Sequence, residues 1–316
     1  MKALVTGAAG FIGSHLCHHL LAHSEEVRGV DCITDYYPSR FKYANLAPLL
    51  SAPRFRFIEA DLHDANLRAL LDGVDVIFHL AGQPGVRPSW GKDFAHYLRQ
   101  NVAVTQKLLE AARHQRLCKF VYASSSSVYG DAESLPTPEA ARPMPRSPYG
   151  VTKLAAEHLC ELYRANFDVP SVSLRFFTVY GPGQRPDMAF SRLMSAAVGG
   201  GTFELYGDGT QTRDFTFVED IVRAARDVAR SDWCGVANLG GGSRTSMNEV
   251  ISMIEGLCGA VQVTRMTTEH GDVRHTSADT RVAASAFGYA PRVGLEEGLS
   301  SMAAWAWQTR TEGMAS

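Results

Sequence analysis

The sequence has no C-x-x-C pair, no marked excess of either charge and no long hydrophobic run. Its six cysteines, Cys17, Cys32, Cys118, Cys160, Cys234 and Cys258, lie far apart, a spacing that fits neither a zinc site nor a dense disulfide framework and reads most simply as the reduced thiols of a cytoplasmic protein. His18 and His19 are adjacent and project to different sides of a helix, unlike ligands placed at i, i+4, so no metal is expected. Lys plus Arg number 31 against 33 Asp plus Glu, and the net basic field of a nucleic-acid binder is missing. No run approaches the roughly 18 consecutive apolar residues of a membrane helix, and the opening residues enter a structural motif too soon for a signal peptide to fit. Neither a nucleic-acid nor a membrane partner is expected. No block is poor enough in apolar residues to stay disordered, and there is no internal repeat or low-complexity tract.

What is present suffices for a full core. Of 316 residues 45% are hydrophobic, and at roughly 100–200 residues per domain the length suggests two domains, or one α/β body with a smaller lobe. Runs rich in Val, Ile and Phe recur at 3–5, 27–30, 55–58, 74–80, 120–123 and 172–176. Their alternation with helical patterns predicts βαβ units around a buried parallel sheet, a doubly wound Rossmann domain of the α/β class. Helices are predicted over 94–114, with Leu98, Val102, Leu108, Leu109 and Ala112 near the helical period, and over 149–167, with Leu154, His158, Leu162 and Ala165 as the stripe. Ser147-Pro148 supplies the second with an N-cap and a proline at the first helical position. Beyond 176, glycine clusters at 181–183, 199–201, 207–209 and 240–242 punctuate shorter elements, which predicts a smaller mixed α/β lobe for the substrate. The expected division is 1–176 for the nucleotide-binding domain, with 215–240 returning to it, and 177–214 plus 241–316 for the lobe. Leu295, Leu299, Met302 and Trp305 read as the core face of a final helix.

Gly7-Ala8-Ala9-Gly10-Phe11-Ile12-Gly13 follows the first predicted strand and opens a predicted helix over 11–22. Glycine lets the backbone turn tightly and approach a phosphate, while free N–H groups and the dipole at the helix start favour its negative charge. A glycine pattern alone is a weak signal. The strand before it, the helix after it and Asp31 at the end of the next strand complete a dinucleotide fingerprint. Asp31 suits the adenosine ribose hydroxyls and would repel a 2′-phosphate, and Cys32 brings no offsetting positive charge, so NAD is expected over NADP.

Tyr149 and Lys153 stand four residues apart and share one helix face. An ammonium group and a nicotinamide cation beside the phenol favour phenolate, turning a poor base at neutral pH into a usable proton acceptor. An exposed Tyr/Lys pair is also common on helices, and the pair alone leaves both readings open. The hydroxyl run Ser124-Ser125-Ser126-Ser127, directly after a strand at the carboxyl edge where open α/β sheets bind ligands, argues for chemistry.

With these residues assembled, the chain resembles the extended short-chain dehydrogenase/reductase family, in its nucleotide-sugar epimerase and dehydratase branch, over nearly its whole length. The likeness rests on T-G-x-x-G-F-I-G, Asp31, Asp61-Leu62, His79-Leu80-Ala81-Gly82, S-S-S-S-V-Y-G, Y-x-x-x-K and Arg213-Asp214-Phe215. The resemblance implies a catalytic triad of Ser125, Tyr149 and Lys153 and tightly held NAD. The cofactor contacts it implies are Gly7, Gly10, Phe11, Ile12, Gly13, Asp31, Asp61, Leu62, Leu80, Ala81, Gly82, Asn101 and Phe177, with Tyr149 and Lys153.

The residues after Ser125 separate reactions within the branch. The 4,6-dehydratases carry an Asp-Glu pair there and UDP-glucuronate decarboxylases a glutamate, whereas this chain has Ser126 and Ser127. Without a carboxylic acid, acid–base elimination loses its agent, while 4-epimerisation of a UDP-sugar uses Tyr149 in both directions. Through Asp35-Tyr36-Tyr37, Gln83-Pro84-Gly85-Val86-Arg87 and the stretch 175–189, the chain is most similar to the UDP-glucuronate 4-epimerase group. That likeness implies Arg185, Thr178, Ser126 and Ser127 on the sugar carboxylate, which must be gripped because the C4 ketone intermediate is a β-keto acid prone to losing carbon dioxide. Taken alone, an arginine in a loop more often reads as a solvated charge. The likeness also implies Arg213 and Arg274 on the UDP diphosphate, Asp272 on the uridine ribose, Tyr206 near the uracil and a homodimer through the helices at 94–114 and 149–167. Arg87 either lines the sugar pocket or caps a loop. A UDP-glucose or UDP-N-acetylglucosamine 4-epimerase shares every catalytic residue and stays open as an alternative. Less favoured are a UDP-glucuronate decarboxylase and a non-catalytic dinucleotide-binding regulator.

Overall fold

Strands built from unbroken apolar runs have no polar face to offer water, and in the computed structural model, which describes residues 1–267 and 271–311, they are covered on both sides. The first half of the chain alternates β1 (Lys2–Thr6), α1 (Phe11–Ala22), β2 (Glu26–Asp31), α2 (Ser39–Leu50), β3 (Phe55–Glu59), α3 (Leu67–Leu71), β4 (Val76–His79), α4 (Phe94–Tyr97), α5 (Val104–Ala112), β5 (Lys119–Ser125), α6 (Pro148–Phe167) and β6 (Ser171–Phe176). Shorter elements follow: β7 (Val179–Tyr180), α7 (Ala189–Gly199), β8 (Thr202–Tyr206), β9 (Thr212–Asp214), β10 (Thr216–Phe217), α8 (Val218–Ala229), β11 (Gly235–Leu239), β12 (Arg244–Ser246), α9 (Met247–Cys258), β13 (Gln262–Met266), α10 (Arg281–Phe287) and α11 (Leu295–Thr311).

The main sheet has seven parallel strands in the order β11-β6-β5-β4-β1-β2-β3. The chain direction across it reverses between β1 and β4, and a crevice opens there at the carboxyl ends of the strands. On one face α1, α2 and α8 pack Leu16, Leu20, Leu46, Ile221 and Val222 against Val5, Phe78 and Leu174. On the other, α3, α5 and α6 bring Leu71, Leu108, Cys160 and Tyr163 against Leu4, Ile77 and Phe120. A separate core of Phe190, Leu193, Phe203, Phe215, Val250, Leu299 and Met302 holds the lobe, whose short strands pair β8 with β13 and β9 with β12.

Three local expectations change. The helix predicted over 94–114 is interrupted by a π-helical turn, Leu98–Ala103, between α4 and α5. This slip places Asn101 inward, where its Oδ1 accepts the Gln83 N–H at 2.6 Å and its Nδ2 donates to the Gln83 carbonyl and the Thr152 hydroxyl, each at 3.0 Å. The stripe predicted for 149–167 lies on the wrong face of α6: Leu162 is 54% exposed, and the buried face carries Thr152, Lys153, Ala156, Glu157, Cys160 and Tyr163. Polar residues mark the inner side because the site and a buried ion pair are there. Finally, 241–316 does not stay in the lobe. Ala283 of α10 and the following Tyr289 are buried in the core of the main sheet, with the Tyr289 hydroxyl donating to the Gly240 carbonyl at 2.8 Å; residues 312–316 lie outside the described part.

The buried ion pair joins Glu157 of α6 to Arg175 of β6, whose side chains are 3% and 5% exposed. The Ser124 hydroxyl at the end of β5 donates to Glu157 at 2.7 Å, and Arg175 also donates to the Tyr129 hydroxyl at 2.7 Å, which in turn donates to Asn238 of β11 at 2.7 Å. Removing one partner strands a desolvated charge. Glu157→Leu should lower the unfolding free energy by about 3–5 kcal/mol in urea titrations, with much of the loss recovered in the Glu157→Leu/Arg175→Met double variant.

Candidate active site

The chain between β1 and α1 turns where a side chain would not fit. Gly7 has φ +72°, and a Cβ there would stand 2.9 Å from the Ala81 nitrogen, while one on Gly13 would stand 2.0 Å from the Gly7 carbonyl oxygen. α1 starts after Gly10 with no side-chain cap on its first N–H groups and no acid in its first turn, which leaves those donors for an anion. Asp31 closes the next strand. Its Oδ1 accepts the Ile33 N–H at 2.8 Å and its Oδ2 the Ala9 N–H at 3.2 Å. A positive charge does stand beside it, contrary to the expectation from Cys32: Lys42 Nζ lies 3.3 Å from Oδ1. That cation comes from α2, is buried, and is already matched by Asp31. Glycines where a Cβ would block the turn, uncapped helix donors and a ribose-facing carboxylate together fit the pyrophosphate and adenosine ribose of NAD.

One cavity of about 740 Å³ runs from this cradle to the lobe, lined by Gly7, Gly10, Phe11, Ile12, Gly13, Asp31, Asp61, Leu62, Leu80, Ala81 and Gly82 at the cofactor end. Two expected contacts do not line it. Asn101 spends its amide on Gln83 and Thr152 and acts through the backbone it holds; a Cβ on Gly82 would stand 2.8 Å from its Oδ1. Phe177 is buried against Val128 and Tyr129, and its neighbours Phe176 and Thr178 face the cavity instead, as strand-like alternation requires. Beneath the loop, His79 is kept neutral by burial, which pushes its pKa down to about 3. The Thr105 hydroxyl donates to the Asn101 carbonyl, so it accepts from His79 Nε2–H at 2.9 Å, and Nδ1 accepts from Thr6 at 2.8 Å. The ring thus ties β1 to the π-helical turn.

Ser125, Tyr149 and Lys153 meet on the cavity wall. The expected cap forms, the Ser147 hydroxyl accepting the Gly150 N–H at 3.1 Å, and it starts α6 so that Tyr149 enters the site. Burial pushes the Tyr149 phenol up, while a hydrogen bond with Ser125 and the positive charge of Arg185 pull it down. The ammonium of Lys153 was expected to do that work. It points instead at the Ala123 carbonyl, 2.9 Å away, with its Nζ 6.0 Å from the Tyr149 ring centroid, and burial pushes Lys153 itself down to about 8.

Toward the lobe, Ser126, Ser127, Thr178, Arg185, Tyr206, Arg213, Asp272 and Arg87 all line the same cavity. Gly181-Pro182-Gly183-Gln184 closes a turn through the Gln184 N–H and the Gly181 carbonyl at 3.1 Å, with proline second and Gly183 at φ +73° third. Buried Gln184 then accepts the Ser191 N–H of α7 at 3.0 Å, and this fixes the loop that carries Arg185. Arg185 is paired with Asp187, a partner that sequence spacing gave no reason to select. Arg87 does more than cap a loop: it bonds Asp272 at 2.8 Å and stacks 3.8 Å over the Tyr206 ring, so it joins two of the expected nucleotide contacts. Arg213 is pushed down by burial, and its hydrogen bonds go to the carbonyls of Thr212 and Arg274; among the described residues it makes no ion pair. Arg274 is not in the cavity. It sits 68% exposed on the rim beside Asp208 and Thr210.

The buried lysine generates a test with a defined sign. Between about pH 8 and 10.5 the folded chain sheds the Lys153 proton while the unfolded chain keeps it, so Lys153 makes stability rise with pH across that window. Lys153→Met should abolish turnover and remove this rise from unfolding titrations run against the wild type.

Comparison with known proteins agrees with the geometry. Residues 3–239 match the NAD dependent epimerase/dehydratase family. An uncharacterized UDP-glucose epimerase, YtcB, of Bacillus subtilis (strain 168) is 45% identical over 314 residues, covering 96% of this chain and 98% of its own. UDP-glucuronate 4-epimerase of Thermodesulfobacterium geofontis (strain OPF15) is 35% identical over 310 residues, covering 96% of this chain and 95% of its own. The crystal structure of UDP-glucuronic acid 4-epimerase from Bacillus cereus, in complex with UDP-glucuronic acid and NAD, superposes with a TM-score of 0.95 at 45% identity over 98% of this chain and 99% of that one. The match spans the cradle, the Ser/Tyr/Lys set and the sheet that carries them, and this chain belongs to the NAD-dependent epimerase/dehydratase family.

Proposed function

We propose that the protein interconverts UDP-glucuronate and UDP-galacturonate by epimerisation at C4. The observation that carries the sugar assignment is Arg185, a largely buried guanidinium on the cavity wall that also holds the catalytic phenol, with hydroxyls from Ser126, Ser127 and Thr178 lining the same space. Bound NAD supplies a reversible hydride acceptor for C4. Tyr149 takes the C4 hydroxyl proton, and Ser125, already bonded to that phenol, steadies the sugar oxygen as the proton moves. After the ketone has turned its other face, Tyr149 returns the proton. Buried Lys153 keeps positive charge beside this exchange. The serines after Ser125 provide no acid for elimination, and a carboxylate fixed by charge-assisted bonds is restrained from leaving as carbon dioxide. At the nucleotide end Arg213, which makes no ion pair among the described residues, suits the diphosphate, and Asp272 and Tyr206, both in contact with Arg87, suit the ribose and uracil.

A neutral UDP-hexose is the second reading, favoured by the likeness to the UDP-glucose epimerase and by the Asp187 partner that already neutralises Arg185. A homodimer fits the apolar residues left outside on α6 and the π-helical turn: Leu98, Val151 and Leu162 are 42%, 46% and 54% exposed. We place the protein in the cytoplasm on the strength of six cysteines that are all free; no described helix is long and apolar enough to cross a membrane.

Proton NMR of UDP-glucuronate with the purified protein and NAD, run beside UDP-glucose and UDP-N-acetylglucosamine, tests the assignment. UDP-galacturonate should form without UDP-pentose. Arg185→Ala should cut kcat/KM for UDP-glucuronate by about 100-fold and cost any neutral-sugar turnover about tenfold less than that, the smaller loss reflecting the positive charge withdrawn from Tyr149. Conversion of neutral sugars alone would return Arg185 to a structural role. Separately, Leu162→Asp combined with Val151→Asp should shift the sedimenting species from dimer to monomer; an unchanged mass would remove α6 from the interface.

A further inference from the structure

The arginine assigned to the sugar is itself held by a carboxylate from the same turn. Arg185 donates from Nε to one oxygen of Asp187 at 2.9 Å and from Nη2 to the other at 2.8 Å, a two-bond clamp on one edge of the guanidinium. The residues flank Pro186, and the Met188 N–H bonds the Arg185 carbonyl at 3.1 Å. Proline at the second position pre-sets such a turn, so both partners ride on stiff backbone. The Tyr36 ring centroid lies 5.7 Å from the guanidinium carbon and limits its tilt. A guanidinium has five N–H donors. Asp187 takes two, and one Nη1 hydrogen with the second Nη2 hydrogen remain along the adjoining Nη1–Nη2 edge.

An acid beside a carboxylate-binding arginine looks like a competitor, but the geometry favours another role. A free arginine side chain loses much rotamer freedom when it orders on a ligand, and one clamped in advance loses little. Asp187 also neutralises Arg185 before any ligand arrives, so this guanidinium is not left desolvated and unpaired in the cavity. Preference for a uronate then comes from directed bonds on a fixed edge and less from bare charge.

We propose that Asp187 is a specificity-determining positioning residue: it clamps the Nε–Nη2 edge of Arg185 so that the Nη1–Nη2 edge faces the cavity as a fixed two-donor site for the sugar carboxylate. This rests on the reading of Arg185 as the uronate's partner. The test measures dissociation constants for UDP-glucuronate, UDP-glucose and UDP in a Tyr149→Phe background, where removal of the phenolic hydroxyl prevents turnover. Asp187→Asn should reduce the preference for UDP-glucuronate over UDP-glucose by about tenfold while UDP binding stays within about twofold. A preference that is unchanged, or that rises as it would on removing a competitor, overturns the proposal, and so does a loss shared equally by UDP. Arg185→Ala in the same background separates the two ideas. If it leaves the preference intact, the carboxylate reading fails; if it abolishes the preference while Asp187→Asn does not, only the role of Asp187 fails.

Discussion

The carboxyl edge of the sheet depends on one neutralisation. Glu157 and Arg175 face each other out of water between α6, β5 and β6, and a desolvated charge is tolerable only where its opposite is fixed beside it. The pair therefore sets where α6 sits on the sheet. Lys153 lies about one helical turn before Glu157 and Tyr149 about two, so their height above the strand ends is inherited from it. Ser124, bonded to Glu157, fixes the residue before Ser125 to the same point. Tyr149 and Lys153 on a helix and Ser125 on a strand end thus share a single anchor.

What was legible in the sequence is what local chemistry decides. Six strands of the sheet announce themselves as branched apolar runs, the cradle as glycines at a strand-to-helix turn, and the Tyr149/Lys153 face as helical spacing. Pairs made between side chains of different elements carry no such mark. Lys42 on Asp31 and Arg87 on both Asp272 and Tyr206 depend on how loops from different elements converge. The π-helical turn was hidden because a slip of one hydrogen bond barely alters apolar periodicity over 94–114. The inner face of α6 was misassigned for a more instructive reason: periodicity looks for apolar residues, and this helix buries a lysine and a glutamate. The backbone of Arg274 is placed beside the cavity, its carbonyl accepting the Thr212 N–H at 3.1 Å, yet its side chain turns to the rim, and likeness between sequences does not report a rotamer.

The charges around the cavity follow one plan. Lys42 is matched by Asp31, Arg87 by Asp272 and Arg185 by Asp187, so the walls are close to neutral before ligands enter and the cations are oriented by their partners. Arg213 and Lys153 depart from that plan, since among the described residues neither makes an ion pair and both donate to carbonyls; an anionic ligand is the kind that would bring Arg213 the missing charge. Under the proposed function, specificity at the sugar end would rest on geometry and attraction at the nucleotide end on charge.

The outer position of β11 in the sheet bears on how the molecule is made. β6 ends at Phe176, but the strand that covers its edge ends at Leu239, and the core beneath closes only with Ala283 and Tyr289. Chains emerge from the ribosome at about 5–20 residues per second, N-terminus first. During that interval β6 presents an open row of N–H and C=O groups flanked by buried-type residues, the arrangement most prone to pairing with another chain. Completion of the nucleotide-binding half waits for residues 283–289 to be synthesised, and over the stretch from β6 to there the nascent protein most needs shielding.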